Sequence, residues 1–152
     1  MLEFAHTAVG ATIAAKIPNP LIAIPLAFLS HFLLDFIPHW NPSLYTETKK
    51  LGQPSRKSNI IVILDVIASL ILGFFIASRF WPNWQRSTII LLACFVAVAP
   101  DVIEGFYFYL KVKTPFLEKL IAFQHAHQFN IRVIPGLLTQ LITLAVCLYF
   151  LA

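Results

Sequence analysis

Long apolar stretches divided by short polar connections set the pattern of this chain, and their lengths predict helices rather than strands. The first stretch, Leu2 to Lys16, is short for a membrane span and rich in small residues: Ala5, Ala8, Gly10, Ala11, Ala14 and Ala15. It reads as a tightly packed helix, because small side chains let helix backbones approach closely in lipid. Pro18 and Pro20 break the chain before a second helix, Pro20 to Ile37. Two full spans are expected at Ser58 to Arg79 and Arg86 to Tyr109, and a last one at Val133 to Leu151.

The connections carry interface signals. Trp40, Tyr45, Lys49, Lys50, Arg56 and Lys57 lie between Pro38 and Lys57, and Trp81 and Trp84 lie in the turn Phe80 to Arg86. Aromatic residues beside basic ones mark a membrane–water boundary. Thr114 before Pro115 makes a good helix start. Phe116, Leu120 and Phe123 then recur at helical spacing, which predicts a short amphipathic helix lying at the interface. The expected fold is all-α: one integral membrane domain over residues 1–152, with four or five spans and one interfacial helix.

Composition sharpens this. The apolar fraction is 59%, the charged fraction 12% and the mean hydropathy +0.79, whereas a soluble domain has about a quarter of its residues charged. The net charge of +4 falls in the connections, so it points to lipid and membrane orientation and not to nucleic acid. Cys94 and Cys147 lie inside apolar runs and read as small buried hydrophobes.

Polar residues inside the apolar runs are the exception to the pattern. His31, Asp35 and His39 follow at steps of four, Asp65 and Asp101 stand inside later spans, and Pro100 precedes Asp101. If the first stretch crosses, Lys49, Lys50, Arg56, Lys57, Lys111, Lys113, Lys119 and Arg132 gather on the side of the N-terminus. Lys16, Arg79 and Arg86 take the other side. The positive-inside rule then puts the N-terminus in the cytoplasm and the C-terminus outside the plasma (inner) membrane. On that topology His31, Asp65 and Asp101 each lie roughly 9–12 Å from the cytoplasmic end, with His6, His125 and His127 on the same side.

Buried ionisable groups at one depth need partners. Imidazole and carboxylate donors without thiolate suit zinc, with manganese or iron as alternatives. The candidate ligands are His6, His31, Asp35, Asp65 and Asp101 with His125 or His127. Glu104, one turn from Asp101, and Asp35 are the candidate proton-transfer groups. Arg132 is a candidate clamp for a substrate phosphate, with His39 near the interface beside it. Each of these residues also has a plainer reading: a single histidine in an apolar helix is usually a hydrogen-bonded packing residue, and Asp65 alone would serve to pair with a lysine or cap a kink.

The elements His6-Thr7-Ala8-Val9-Gly10, Ser30-His31-Phe32-Leu33-Leu34-Asp35, Pro100-Asp101 and His125-Ala126-His127 resemble those of the predicted membrane-bound metal-dependent hydrolases, a family of small bacterial and archaeal membrane proteins. They are more distantly similar to helical zinc-dependent phospholipase C proteins. The resemblance implies a metal-dependent hydrolase. A site about 10 Å deep favours a phosphoester on a lipid or other amphiphile already in the bilayer. A transporter using the same layer for ions, and a non-catalytic membrane protein whose polar layer fixes helix packing, are the competing expectations. The scarcity of polar residues in the outer half counts against the transporter.

Overall fold

Polar residues placed just ahead of each apolar run decide where the helices begin. In the computed structural model, which describes residues 1–152, Asn19 accepts from Leu21 N–H at 3.0 Å with Pro20 as the first helical residue. Ser55, Asn83 and Thr114 cap in the same way, accepting from Ser58, Arg86 and Leu117 N–H at 3.2, 3.0 and 3.2 Å. Each cap satisfies one of the donors that a helix start leaves free.

The protein is all-α: α1 Glu3–Lys16, α2 Pro20–Asp35, α3 Leu44–Leu51, α4 Arg56–Ser78, α5 Trp84–Leu110, α6 Pro115–His127 and α7 Val133–Leu151. Only three helices, α4, α5 and α7, are long and apolar enough to cross a membrane, fewer than the four or five expected. The 14 residues of α1 and 16 of α2 reach about 21 and 24 Å, short of a hydrocarbon core of about 30 Å. The α2 helix stops at Asp35 rather than Ile37. Pro38 disfavours helical backbone at Ile37, and the Asp35 carbonyl turns to accept Phe129 N–H at 2.9 Å. His39 N–H then donates to Phe129 O at 3.0 Å and Ile131 N–H to His39 O at 2.8 Å, forming one isolated parallel bridge.

The α3 helix lies within the connection expected as a loop. Glu47 ties it to the start of α4, accepting from Ser55 N–H at 2.8 Å, Ser55 Oγ at 3.2 Å and Ser58 Oγ at 2.9 Å. Partial burial pushes the Glu47 carboxyl up, but these donors and Lys57 outweigh it and hold the pKa below its ordinary value.

The smallest side chains make the interior. Ala5, Ala8, Ala11 and Ala14 of α1 are fully buried, as are Ala23 and Ala27 of α2 and Ala93 and Ala97 of α5. Large residues such as Leu21, Phe74 and Ile134 point outward, at 83%, 61% and 83% exposure. A soluble monomer does not leave so much apolar surface open; here it is the lipid-facing surface expected of a membrane bundle. The α1 helix sits in the middle and touches α2, α4, α5 and α7. A Cβ on Gly10 would lie 2.7 Å from Ala93 O and 2.8 Å from Ala97 Cβ, so α1 and α5 meet backbone against backbone.

One amide closes the bundle. Fully buried Gln140 of α7 accepts from Leu2 N–H at 2.7 Å and donates to Trp40 O at 2.8 Å. Next to it, a Cβ on Gly136 would strike Trp40 N and Cβ at 2.5 Å. Together these contacts seat α7 on the segment that carries His39.

Candidate metal centre

Three imidazoles from two helices and a loop converge on one carboxylate. His6 Nε2 is 3.5 Å and His39 Nε2 3.7 Å from Asp35 Oδ1, and His31 Nε2 is 3.7 Å from Asp35 Oδ2. His31 Nε2 is also 3.5 Å from Asp101 Oδ1. All three histidines are fully buried, and the rings of His6 and His31 stack with centroids 4.2 Å apart. The α-amino group of Met1 contacts Asp35 Oδ1 as well.

The tautomers follow from the hydrogen bonds. His31 Nδ1 lies 2.9 Å from Ala97 O and His39 Nδ1 2.8 Å from Ile37 O. A carbonyl can only accept, so each Nδ1 carries a proton. Backbone carbonyls holding the far ring nitrogen are the usual second support of a metal-ligating histidine. For His39, burial first and the nearby Met1 ammonium second pull the pKa down to about 4, which leaves Nε2 as a free lone pair near neutral pH. His39 Nε2 and both ring nitrogens of His6 have no hydrogen-bond partner. A buried polar atom left without a partner is costly.

His6, His31 and Asp101 offer ligand atoms within 4.8 Å of one another. Tetrahedral zinc with bonds of about 2.0–2.1 Å sets its ligands roughly 3.3 Å apart; His31 and Asp101 stand 3.5 Å apart, and the full set, spread over up to 4.8 Å, would draw in around an ion. Donor type and the orphaned nitrogens of His6 therefore fit a divalent cation, which at His31 Nε2 would take the place of the Gln124 contact, with Asp35 and His39 adjoining the three.

The other expected site residues divide. Asp65 lines the same region, but its carboxylate accepts from Glu3 N–H at 2.6 Å and Phe4 N–H at 3.1 Å, capping the start of α1. Glu104 Oε1 accepts from Gln124 Nε2 at 2.6 Å, and Gln124 Oε1 faces His31 Nε2 at 3.0 Å. Two proton arrangements satisfy this line. Either His31 is an imidazolium donating to Gln124, or the amide is turned over between a protonated Glu104 and a neutral His31. Both hold one proton along Glu104–Gln124–His31.

His125 stacks on Tyr45 with centroids 4.4 Å apart, outside the cluster. His127 donates from Nδ1 to Phe123 O at 2.7 Å and is exposed. Because α6 stays helical through His127, these two histidines point apart. Arg132 is exposed at the start of α7.

Sequence reasoning passed over Glu3, Gln124, Gln140 and the Met1 amine. A glutamine inside an otherwise apolar helix was the available signal for two of them. Beside the cluster opens a cavity of about 270 Å³, lined by Glu3, Asp65, Asp101, Glu104, Tyr45 and His125 among others. Asp101 is the wall shared between cluster and cavity. No protein family, curated protein or solved structure matches the chain.

Proposed function

We propose that the protein is an integral membrane metal-dependent hydrolase acting on a phosphoester of an amphiphile at the cytoplasmic leaflet. The observation that carries this reading is the set of fully buried imidazoles whose Nε2 atoms face Asp35 and Asp101 while three ring nitrogens have no partner. In this reading α1 and α2 pack with the three long helices to make a five-helix membrane bundle. His6, His31 and Asp101 hold a divalent cation, most simply zinc, with Asp35 and His39 beside it. A bound ion supplies Lewis acidity and acidifies water. Asp101 faces both the ligand set and the cavity, so it orients a substrate that enters there. Glu104, in the cavity wall and bonded through Gln124 to His31, takes or returns a proton.

A second reading rests on the bonds the layer makes within the chain: Asp65 caps the start of α1 and Gln140 ties α7 to Leu2 and Trp40, so the layer would serve packing alone. Metal analysis separates the two. Protein purified without chelator is expected to hold about one divalent ion per chain, and His6→Ala and Asp101→Asn to lose it while still melting cooperatively. Wild-type protein that carries no metal and takes up none on addition of zinc or manganese would leave the packing reading standing.

A further inference from the structure

The cavity beside Asp101 has an unusual charge balance. Glu3, Asp65, Asp101 and Glu104 line it; no lysine or arginine is among its twenty lining residues, and Met1, which also lines it, has its α-amino group turned to Asp35. Basic residues are not scarce, since the chain has eleven. Lys49 stops against the ring of Tyr45, 4.3 Å from its centroid.

A second, apolar cavity of about 450 Å³ adjoins the first. Val62 and Tyr109 line both spaces, and Ile63, Val66 and Ile67 of α4 continue the second one along the outward face of the bundle. The combined space thus has an acidic end inside the protein and a hydrocarbon-lined end open toward lipid. Two buried acceptors within it have no donor: Glu3 Oε2 in the acidic end and Asn59 Oδ1 in the apolar end. What is missing from both is N–H or O–H.

We propose that this paired space binds a lipid with a primary-amine headgroup, entering sideways between α4 and the end of α5. The ammonium offers three donors and a positive charge to the carboxylate end, and one acyl chain lies along Val62, Val66 and Tyr109. The inference names a substrate class for the hydrolase reading and rests on that reading only for the chemistry, not for the binding.

Native mass spectrometry of the purified protein with two single-chain lipids tests it: lysophosphatidylethanolamine and lysophosphatidylglycerol of the same chain length. The ethanolamine lipid is expected to bind at least tenfold more tightly. Glu104→Gln should shrink that preference to threefold or less, and Val62→Trp should weaken both lipids by filling the groove. Equal binding, or preference for the anionic lipid, overturns the proposal. Undiminished binding to Val62→Trp overturns the lateral seat. Metal content measured on the same samples keeps the two readings apart. Metal without lipid preference sinks only this inference, and lipid preference without metal sinks only the metal reading.

Discussion

A carboxylate buried among apolar helices is held by whatever it bonds, and Asp35 and Asp65 are held in opposite ways. Asp35 accepts from the Met1 amine and, at 3.4 Å, from Gln128 Nε2. It also faces three imidazole nitrogens at 3.5–3.7 Å, too far for good hydrogen bonds and close to the separation of ligands around a shared ion. Asp65 instead makes two bonds, 2.6 and 3.1 Å long, to the first N–H groups of α1. It caps a helix from a neighbouring one, and its negative charge suits that helix end. Asp65→Ala would leave both donors buried and unpaired, costing about 2–3 kcal/mol, or roughly 5–10 °C in melting temperature. Asp65→Asn keeps an acceptor and should lose less than half of that. Thermal unfolding in detergent decides the matter: equal melting of wild type and Asp65→Ala would mean that the cap contributes nothing. The bonds show Asp65 capping a neighbouring helix, a role beside the ligand, lysine partner and kink cap that its sequence position suggested. The sequence could not single out this role, because the donors Asp65 meets lie on Glu3 and Phe4, about sixty residues away.

At the scale of elements, hydrophobicity located the helices but did not by itself mark the faces on which they pack. The ranges of α4, α5 and α7 were legible to within two residues from length and apolarity. On α6, Phe116 and Phe123 point outward at 68% and 48% exposure, as the apolar face of an interfacial helix does. The opposite face, Leu117, Ile121 and Gln124, is the buried one, which periodicity did not single out. In lipid the large apolar side chain gains nothing by going inside, so size and not hydrophobicity marks the interior. The same rule makes alanine-rich α1, read from its small residues as a tightly packed helix, the central one. Its closeness to α5 can be measured through glycines. Gly10→Ala places a methyl group 2.7 Å from the Ala93 carbonyl oxygen, and overpacking of this kind costs about 1–3 kcal/mol. At Gly73 the nearest atom is the Cys94 sulfur, 3.5 Å away. There the same change meets ordinary contact and should gain up to about 1 kcal/mol from helix propensity. Opposite shifts in melting temperature are expected, and a tolerated Gly10→Ala would mean that α1 and α5 do not meet as closely as the structure has them.

Across the whole molecule, the long-range bonds put one end of every main helix together. Met1 meets Asp35 at the end of α2, Leu2 meets Gln140 near the start of α7, and Glu3 meets Asp65 near the start of α4. Asp101, in the second half of α5, joins them through His31 at 3.5 Å. The start of α1 therefore shares an end with the start of α4 and α7 and the close of α2 and α5, as an alternating bundle requires. Lys49, Lys50, Arg56, Lys57, Lys111, Lys113, Lys119 and Arg132 lie in or beside the connections at that end, against Lys16, Arg79 and Arg86 at the other. By the positive-inside rule, an eight-to-three excess of basic residues predicts that the acidic cavity faces the cytoplasm. Cysteine labelling tests this directly, because Cys94 and Cys147 are buried and contribute little background. Lys50 and Arg79 are exposed at opposite ends, so Lys50→Cys and Arg79→Cys report the two sides. With intact cells and a membrane-impermeant maleimide, Arg79→Cys should be labelled at once and Lys50→Cys only after permeabilisation. The reverse pattern would turn the cavity outward and remove the cytoplasmic leaflet as the source of its substrate, while leaving the metal centre itself untouched.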